Sequence, residues 1–563
     1  MKAASASWRR LATLGLLAAA GCRMAAALAA APEPGAAAAP AGPADGYPTL
    51  VALFSAWREF QAPRMIEGVP DYGAASMARQ FRELDAWRGR LDAIDKTGWP
   101  IAQQIDWYLV WAEINSLEFA HRVKRPWSRD PAFYVWFYPD PTDVPEREGP
   151  NLHGAIELPA YDWPLTDGAA AEIAQRLGRA GRVFEAARVN LTGNARDLWI
   201  TGTRSIRVQS ADLAALADAV ADRHPELAAA AQAARHASDD FAAWLGAGAD
   251  SKTEPSGVGK DHYSWNLRNV HLLPYSWHDQ VVLLERELAR AHSALRLEAH
   301  RNRALPVLSK IDNAADYERR MQAAVTEYLA FLAENEILPI KPYMEAALRA
   351  RIGRFTPAAG LRGFFEEIDY RDPMPMRAHH SHWIDLARMR EQPHPSPIRR
   401  VPLLDNIFDG RAEGMATGME EMMLHAGYLE RRPRARELVW ILLAQRAARG
   451  LGGLYQHGLE MNFDQATAFA SKWTPWALLP ADGDTIQFEE QFYLRQPAYG
   501  TSYVIGKIEI EKLIAEYARQ REGRFVLAEF MEAFNQAGVI PVSLIYWELT
   551  GDKSMLEAAI GDP

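Results

Sequence analysis

Leu284-Glu-Arg-Glu-Leu288-Ala-Arg-Ala291-His-Ser-Ala-Leu295 repeats apolar residues at three- and four-residue steps, the spacing that gathers them on one face of an α-helix. The same period runs through Met77, Phe81, Leu84 and Leu91, and again through Ile105, Tyr108, Leu109, Trp111 and Ile114. Working outward, it predicts helices in the Ala-rich stretch 168 to 246, over 279 to 301 and over 314 to 335. Further helices are expected near 341 to 353, 412 to 428, 433 to 457, 485 to 495, 502 to 520 and 524 to 536. Short β-branched runs do not alternate with these helices, which argues against a parallel sheet. The rhythm breaks at 125 to 166, where Pro126, Pro131, Pro139, Pro141, Pro145, Pro150, Pro159 and Pro164 exclude a regular helix and leave a long ordered loop. The aromatics of that loop, Trp127, Phe133, Tyr134, Trp136, Phe137 and Tyr138, suit core packing better than sugar stacking.

A chain of 563 residues exceeds what one hydrophobic core usually spans, so two helical lobes are expected, over 47 to 300 and 301 to 555. With 48% hydrophobic and 24% charged residues the composition is that of a folded protein, not a disordered one. A net charge of -10 removes nucleic acid as a partner, because tracking phosphates takes a basic surface. Gly257-Val-Gly259-Lys260 lacks the spacing of a phosphate loop and reads as a turn.

The first residues read as an export signal: Lys2, Arg9 and Arg10 precede an apolar run from Leu11 to Ala20 that is too short to span a bilayer. The single cysteine, Cys22, follows Leu-Leu-Ala-Ala-Ala-Gly21, where bacterial lipoprotein signals carry the acylated residue. Residues 1 to 21 are thus expected as signal peptide, Cys22 as lipidation site and membrane anchor, and the Ala/Pro-rich residues 22 to 46 as a tether. Ala19 departs from the usual leucine of such signals, and cleavage nearer residues 25 to 31 would instead give a soluble periplasmic protein. Arg9-Arg10 fits a twin-arginine signal poorly.

Chemistry concentrates in Arg377-Ala-His379-His380-Ser-His382-Trp383 and, further on, Glu413-Gly-Met-Ala-Thr-Gly-Met-Glu420-Glu421. Imidazole nitrogens and a carboxylate from a later helix form a common zinc ligand set. If 379 to 383 are helical, His379 and His382 share a face while His380 points elsewhere. The expectation is a divalent ion, zinc, held by His379, His382 and Glu413 with His380 as a further candidate, and Glu420 as general base because burial among Met419, Met422 and Met423 raises a carboxyl. Arg495 and Lys507 are candidates for a substrate carboxylate. The plainer readings are histidines that cap a helix or pack on Trp383, and acids that pair with Arg377, Arg388 or Arg411. A serine nucleophile is excluded: Gly500-Thr-Ser502-Tyr-Val lacks the closing glycine of a nucleophile elbow.

From Glu413 to about Thr550 the chain resembles the bacterial domain of unknown function 885, a family of largely exported, metallopeptidase-like helical proteins. The resemblance rests on Glu413-Gly414-x-Ala416 with Glu420, on Pro497-Ala-Tyr499 leading to Tyr503-x-Ile505-Gly506-Lys507, and on Gly538-x-x-Pro541-x-Ser543-Leu544. Upstream, Ile94-Asp95, Asp106-Tyr108 and Gly259-Lys260-Asp261-x-Tyr263 are similar too, extending the likeness to roughly residues 45 to 555. The resemblance implies an all-α, large multi-helix, two-lobed, zincin-like helical fold with a central cleft and little or no sheet. It also implies Tyr503 as a hydrogen-bond donor to an oxyanion and Tyr499 among the substrate contacts. One departure stands out. Where the family carries His-Glu before Pro-Gly-His-His, this chain reads Asp372-Pro-Met-Pro-Met-Arg-Ala-His379-His380, so the leading pair falls on Pro373 and Met374. Met415 and Gly418 replace larger aromatics, from which a roomier site is expected. The functional expectation is an exported metal-dependent hydrolase acting on a small peptide or amide; the alternative is a catalytically inactive envelope-binding lipoprotein on the same scaffold.

Overall fold

The computed structural model describes residues 46–357 and 362–561. The expected signal peptide, the lipidation site Cys22 and the tether up to residue 45 lie outside them. The described chain is nearly all helical, with sheet confined to two pairs of two-residue strands. One is the antiparallel Met65–Ile66 with Val69–Pro70, the other the parallel Phe137–Tyr138 with Ile156–Glu157.

Helices Gly46–Gln61, Ala74–Asp92 and Ile101–Phe119 open the fold, and their apolar stripes do not face one another alone. Leu50, Trp57, Leu84 and Leu109 enter one core with Tyr328, Met415, Leu513 and Ile545 from the far end of the chain. A second core is local, built from Phe133, Trp136, Phe184, Leu213 and Phe241. It serves helices Asp167–Leu177, Ala180–Asn190, Arg196–Val220 and Pro225–Gly248. A division near residue 300 is therefore corrected: the separate core lies within residues 133–245, and the N-terminal helices complete the core of the C-terminal ones. The reason is amphipathicity, since a helix of three or four turns must bury its stripe on whatever apolar face is nearest in space.

At the centre runs Pro433–His457, buried over almost its whole length and bearing Leu438, Leu442, Ala447 and Leu451 on several sides. Proline at its first position starts it without losing a hydrogen bond. The proline-rich span 125 to 166 is ordered as expected, folded into short helices Pro126–Arg129 and Pro131–Tyr134 and the parallel strand pair. Phe133, Tyr134, Trp136 and Phe137 of this span are core residues. Gly257 sits against the Gln456 carbonyl at the end of the central helix, in the turn expected there.

Candidate functional site

Bare backbone brings two helices of the site together. A Cβ placed on Gly506, in helix Tyr499–Gln520, would lie 1.9 Å from the Gly410 carbonyl oxygen, and one on Gly414 would lie 2.4 Å from the Gly506 carbonyl carbon. Gly410 and Gly414 belong to helix Asp409–Glu421. Only glycine permits this approach, and it sets Tyr499 and Tyr503 against Glu413. Tyr499 Oη–H donates to Glu413 Oε1 at 2.7 Å, and Tyr503 Oη–H donates to Tyr499 Oη at 3.1 Å.

The histidines arrive from a break between two helices. Met374–His379 ends, His380 forms the junction, and Ser381–Glu391 begins, so the expected continuous helix over 379 to 383 is interrupted. His379 and His382 still meet, with ring centroids 5.1 Å apart and planes at 84°. His382 Nε2 lies 3.2 Å from Glu413 Oε2. One ligand atom from each of His379, His382 and Glu413 falls within 4.8 Å of the other two. His380 is outside this group, and its place among the ligands is corrected: it is the junction between the two helices, and its Nδ1 is buried without a hydrogen-bond partner.

The charges around Glu413 are strongly coupled. Burial alone would lift its carboxyl, but His382 overrides burial and holds it down to about 2. For His382, burial is outweighed by Glu413 and, further off, Asp143, which push the imidazole up to about 9. His379 goes the other way: burial and the Arg446 guanidinium hold it neutral, far below the usual imidazole range. Its Nδ1 is 3.2 Å from Glu420 Oε1 and 3.2 Å from an Arg446 nitrogen. Because a guanidinium only donates, Arg446 Nη2–H donates to His379 Nδ1, and the neutral ring carries its proton on Nε2.

Glu420 is not poised as a base. Burial raises the carboxyl as expected and Arg446 offsets this only in part, but Arg446 engages both its oxygens. The expectation for Glu420 is corrected: it is a partner of Arg446 and His379. The arginines expected to pair with the acids are engaged elsewhere, Arg377 with Asp369 and both Arg388 and Arg411 with Asp385. Arg495 binds Asp130 at 2.6 Å and the Pro150 carbonyl at 2.8 Å, tying the proline-rich span to helix Asp484–Arg495. Lys507 is enclosed by Glu287, Glu421 and Glu511. Both are corrected as substrate contacts, because their charges are already spent on carboxylates of the protein. Met415 and Gly418 leave the helix on the side away from Glu413; Met415 packs in the main core, and the Met422 methyl fills the space beside Gly418. Neither widens the site, which corrects the expected roominess.

Sequence reasoning missed half of the constellation. Asp143 and Glu148, from the proline-rich span, reach the site. Thr142 Oγ1 donates to Glu148 Oε2 at 2.9 Å, and Tyr499 Oη lies 3.4 Å from Glu148 Oε1. Burial and the neighbouring Asp143 push Glu148 up to about 7. Asp409, one turn before Glu413, is raised well above the carboxylate range by burial and by Glu413; Gln496 holds one of its oxygens at 2.7 Å and the other is buried without a partner. On the central helix, Arg446 and Arg449 flank the Tyr503 ring, with Arg449 against Glu489 at 2.7 Å. The available signal was weak: Asp409 and Glu413 at one-turn spacing, and Asp143 and Glu148 in a span whose prolines already marked it as ordered.

In outline this is a large, helix-dominated protein with a buried histidine and carboxylate cluster. Residues 380–549 match the family described as "Bacterial protein of unknown function (DUF885)", in agreement with the motifs. Two solved structures share the fold. One, described as "a putative lipoprotein of unknown function" from Shewanella oneidensis, is 15% identical with a TM-score of 0.65, covering 89% of this chain and 99% of its own. The other, described as "the putative lipoprotein from Colwellia psychrerythraea", is 13% identical with a TM-score of 0.65, covering 90% of this chain and 98% of its own. No curated protein matches the chain. Among the described residues no helix is long and apolar enough to cross a membrane.

Proposed function

We propose that the protein is an exported, metal-assisted hydrolase of a small peptide or amide, anchored to the envelope through Cys22. The observation that carries the reading is the convergence of His379, His382 and Glu413. The donor set suits zinc: in a tetrahedral site with bonds of about 2.0–2.2 Å, neighbouring ligand atoms stand roughly 3.3 Å apart, and His382 Nε2 and Glu413 Oε2 are at 3.2 Å. Glu413 is held as a carboxylate and His379 as a neutral imidazole, the forms a metal takes. His382 would give up its proton on binding. A divalent ion there supplies an acidified water and a Lewis acid for the carbonyl.

The chain's own groups do the rest. Arg446, held by Glu420, fixes the His379 ring by donating to its Nδ1, and a proton shift from Nε2 or a bond through Nδ1 would be needed for His379 to bind an ion. Tyr499 keeps Glu413 in place and stands between it and Glu148. Glu148, titrating near neutrality, takes the role first given to Glu420: at Oε1 or Oε2 it can accept a proton from water and return it to the leaving amine. Tyr503 completes the ring of hydroxyls and, once Tyr499 turns, can donate to a carbonyl oxygen.

Metal analysis of untagged protein tests this directly. Stoichiometric zinc in the wild type, lost in His379→Ala, His382→Ala and Glu413→Ala with the fold intact, is expected; wild-type amide hydrolysis that survives complete chelation would defeat it. Export through Cys22 is supported by the described lipoprotein neighbours and is checked by lipid labelling, which Cys22→Ser should abolish.

A further inference from the structure

Nearly every cation around the site is already matched to an acid: Arg377 to Asp369, Arg388 and Arg411 to Asp385, Arg446 to Glu420, Arg449 to Glu489. Arg351 differs. Its guanidinium lies flat over the Trp383 ring, 3.6 Å from the centroid, one residue beyond the ligand His382. Its Nε is buried with no hydrogen-bond partner, as are those of Arg377, Arg411, Arg446 and Arg449, but unlike theirs no carboxylate among the described residues stands within ion-pair distance of its guanidinium. Half-buried in all, it feels Asp143, and Asp143 in turn feels His382 and Glu413. Asp143 is thus the group that Arg351 shares electrostatically with His382 and Glu413.

We infer that Arg351, stacked on Trp383, is the receptor for a free carboxylate of the substrate, so that the scissile amide at His382 and Glu413 is the one next to a C-terminal carboxylate. The identification of the ligand as substrate rests on the hydrolase reading; the anion site itself does not. Stacking fixes the plane of the guanidinium and leaves its outer edge for a two-pronged contact with a carboxylate. The cation is incompletely hydrated where it stands, which makes an arriving anion worth more than at an open surface. Arg495 and Lys507, enclosed by their own acids, offer no such edge. The substrate class is then an N-acylated amino acid or a short peptide cut at its last bond, rather than the interior of a long chain.

Calorimetric titration with N-acetyl-leucine and with N-acetyl-leucinamide, into wild type and into Arg351→Gln and Arg351→Lys, tests the inference. The wild type should prefer the carboxylate by roughly tenfold to a hundredfold, the worth of a hydrogen-bonded charge contact. Arg351→Gln should erase the preference, and Arg351→Lys, which keeps the charge but loses the fork, should retain only part of it. Equal binding of the two ligands by wild type, or a preference that persists in Arg351→Gln, overturns it. If the preference holds while neither an acyl dipeptide nor its amide is turned over, the hydrolase reading fails and the anion site stands. If the amide is turned over as well as the acid, the inference alone falls.

Discussion

Helices Asp409–Glu421 and Tyr499–Gln520 carry charge at both ends of their crossing, and the two ends are built on opposite rules. At one end Lys507 meets Glu421 at 2.8 Å and Glu287 at 3.1 Å, while Arg290 binds both of these acids. Burial would lower the lysine, but its acids outweigh burial and keep it charged, and Glu287 and Glu421 are drawn down as carboxylates. Every charge there has its complement. At the other end Glu413 has one histidine and one tyrosine, and Asp409, Glu148 and Asp143 crowd the same space with their carboxyls all raised. Acids that push one another toward the protonated form add nothing to stability at neutral pH. Titratable groups displaced in opposite directions in one small volume mark a site of chemistry, and the closed network on the same helices shows what a purely structural solution looks like.

The largest expected effect breaks the closed end. Lys507→Ala strands Glu421 and Glu287, with only Arg290 to share, and removing one partner of a buried ion pair costs about 3–5 kcal/mol. Urea unfolding should show it, with metal content per folded molecule unchanged. Glu413→Gln at the open end should cost less, about 1–3 kcal/mol, because the His382 left behind can shed its proton and stay buried neutral, whereas Lys507→Ala leaves Glu421 and Glu287 to share one Arg290. Its signature is loss of zinc. If Glu413→Gln proves as destabilising as Lys507→Ala and zinc content does not change, the two ends are alike and the distinction drawn here fails.

A smaller effect follows from protons. With His382 raised, the stabilising charge contact is fully present below the ordinary imidazole value and is lost as pH climbs through about 9. With Glu413 lowered, it is present above the ordinary carboxylate value and is lost as pH falls through about 2. The metal-free protein should therefore lose part of its stability between neutrality and pH 9, a loss absent from Glu413→Gln. If the proposed zinc binds there it displaces the same proton, so its apparent affinity should rise by about tenfold per pH unit over that interval. Competition with a chelator of known affinity measures the slope, and a flat profile would mean that His382 is not a ligand.

Periodicity made most of the fold legible: the helix expected over 433 to 457 is the observed Pro433–His457, because its ends are marked by proline and by the last apolar step. The lobes were harder. Period alone says that Leu50, Trp57 and Leu109 face something apolar, not that the something is Tyr328, Met415 and Ile545. At the site, His379, His382 and Glu413 were legible because the metal reading joins residue types across any sequence gap. Arg446 and Arg449 were not, since on a helix buried all round an arginine gives no sign of which neighbour it will meet. Glu148 was hidden by its setting, a proline-rich span that reads as connection and folds against Tyr499 beside Glu413.

The smallest expected effect concerns the back of the Glu413 helix. Met415 sits two residues from Glu413, about 200° around the helix, and packs with the main core. Met415→Leu keeps volume and polarity, so its cost should stay under about 1.5 kcal/mol, and zinc content, the pH slope and any amide turnover should match the wild type. The same substitution would behave differently if Met415 lined the cleft, since a stiffer, branched side chain there would change which substrates fit. Unchanged substrate preference in Met415→Leu, beside lost zinc in Glu413→Gln, would assign the two faces of one helix to packing and to chemistry. A changed preference would mean that the cleft reaches around the helix, and that the boundary between the balanced and the unbalanced ends lies elsewhere.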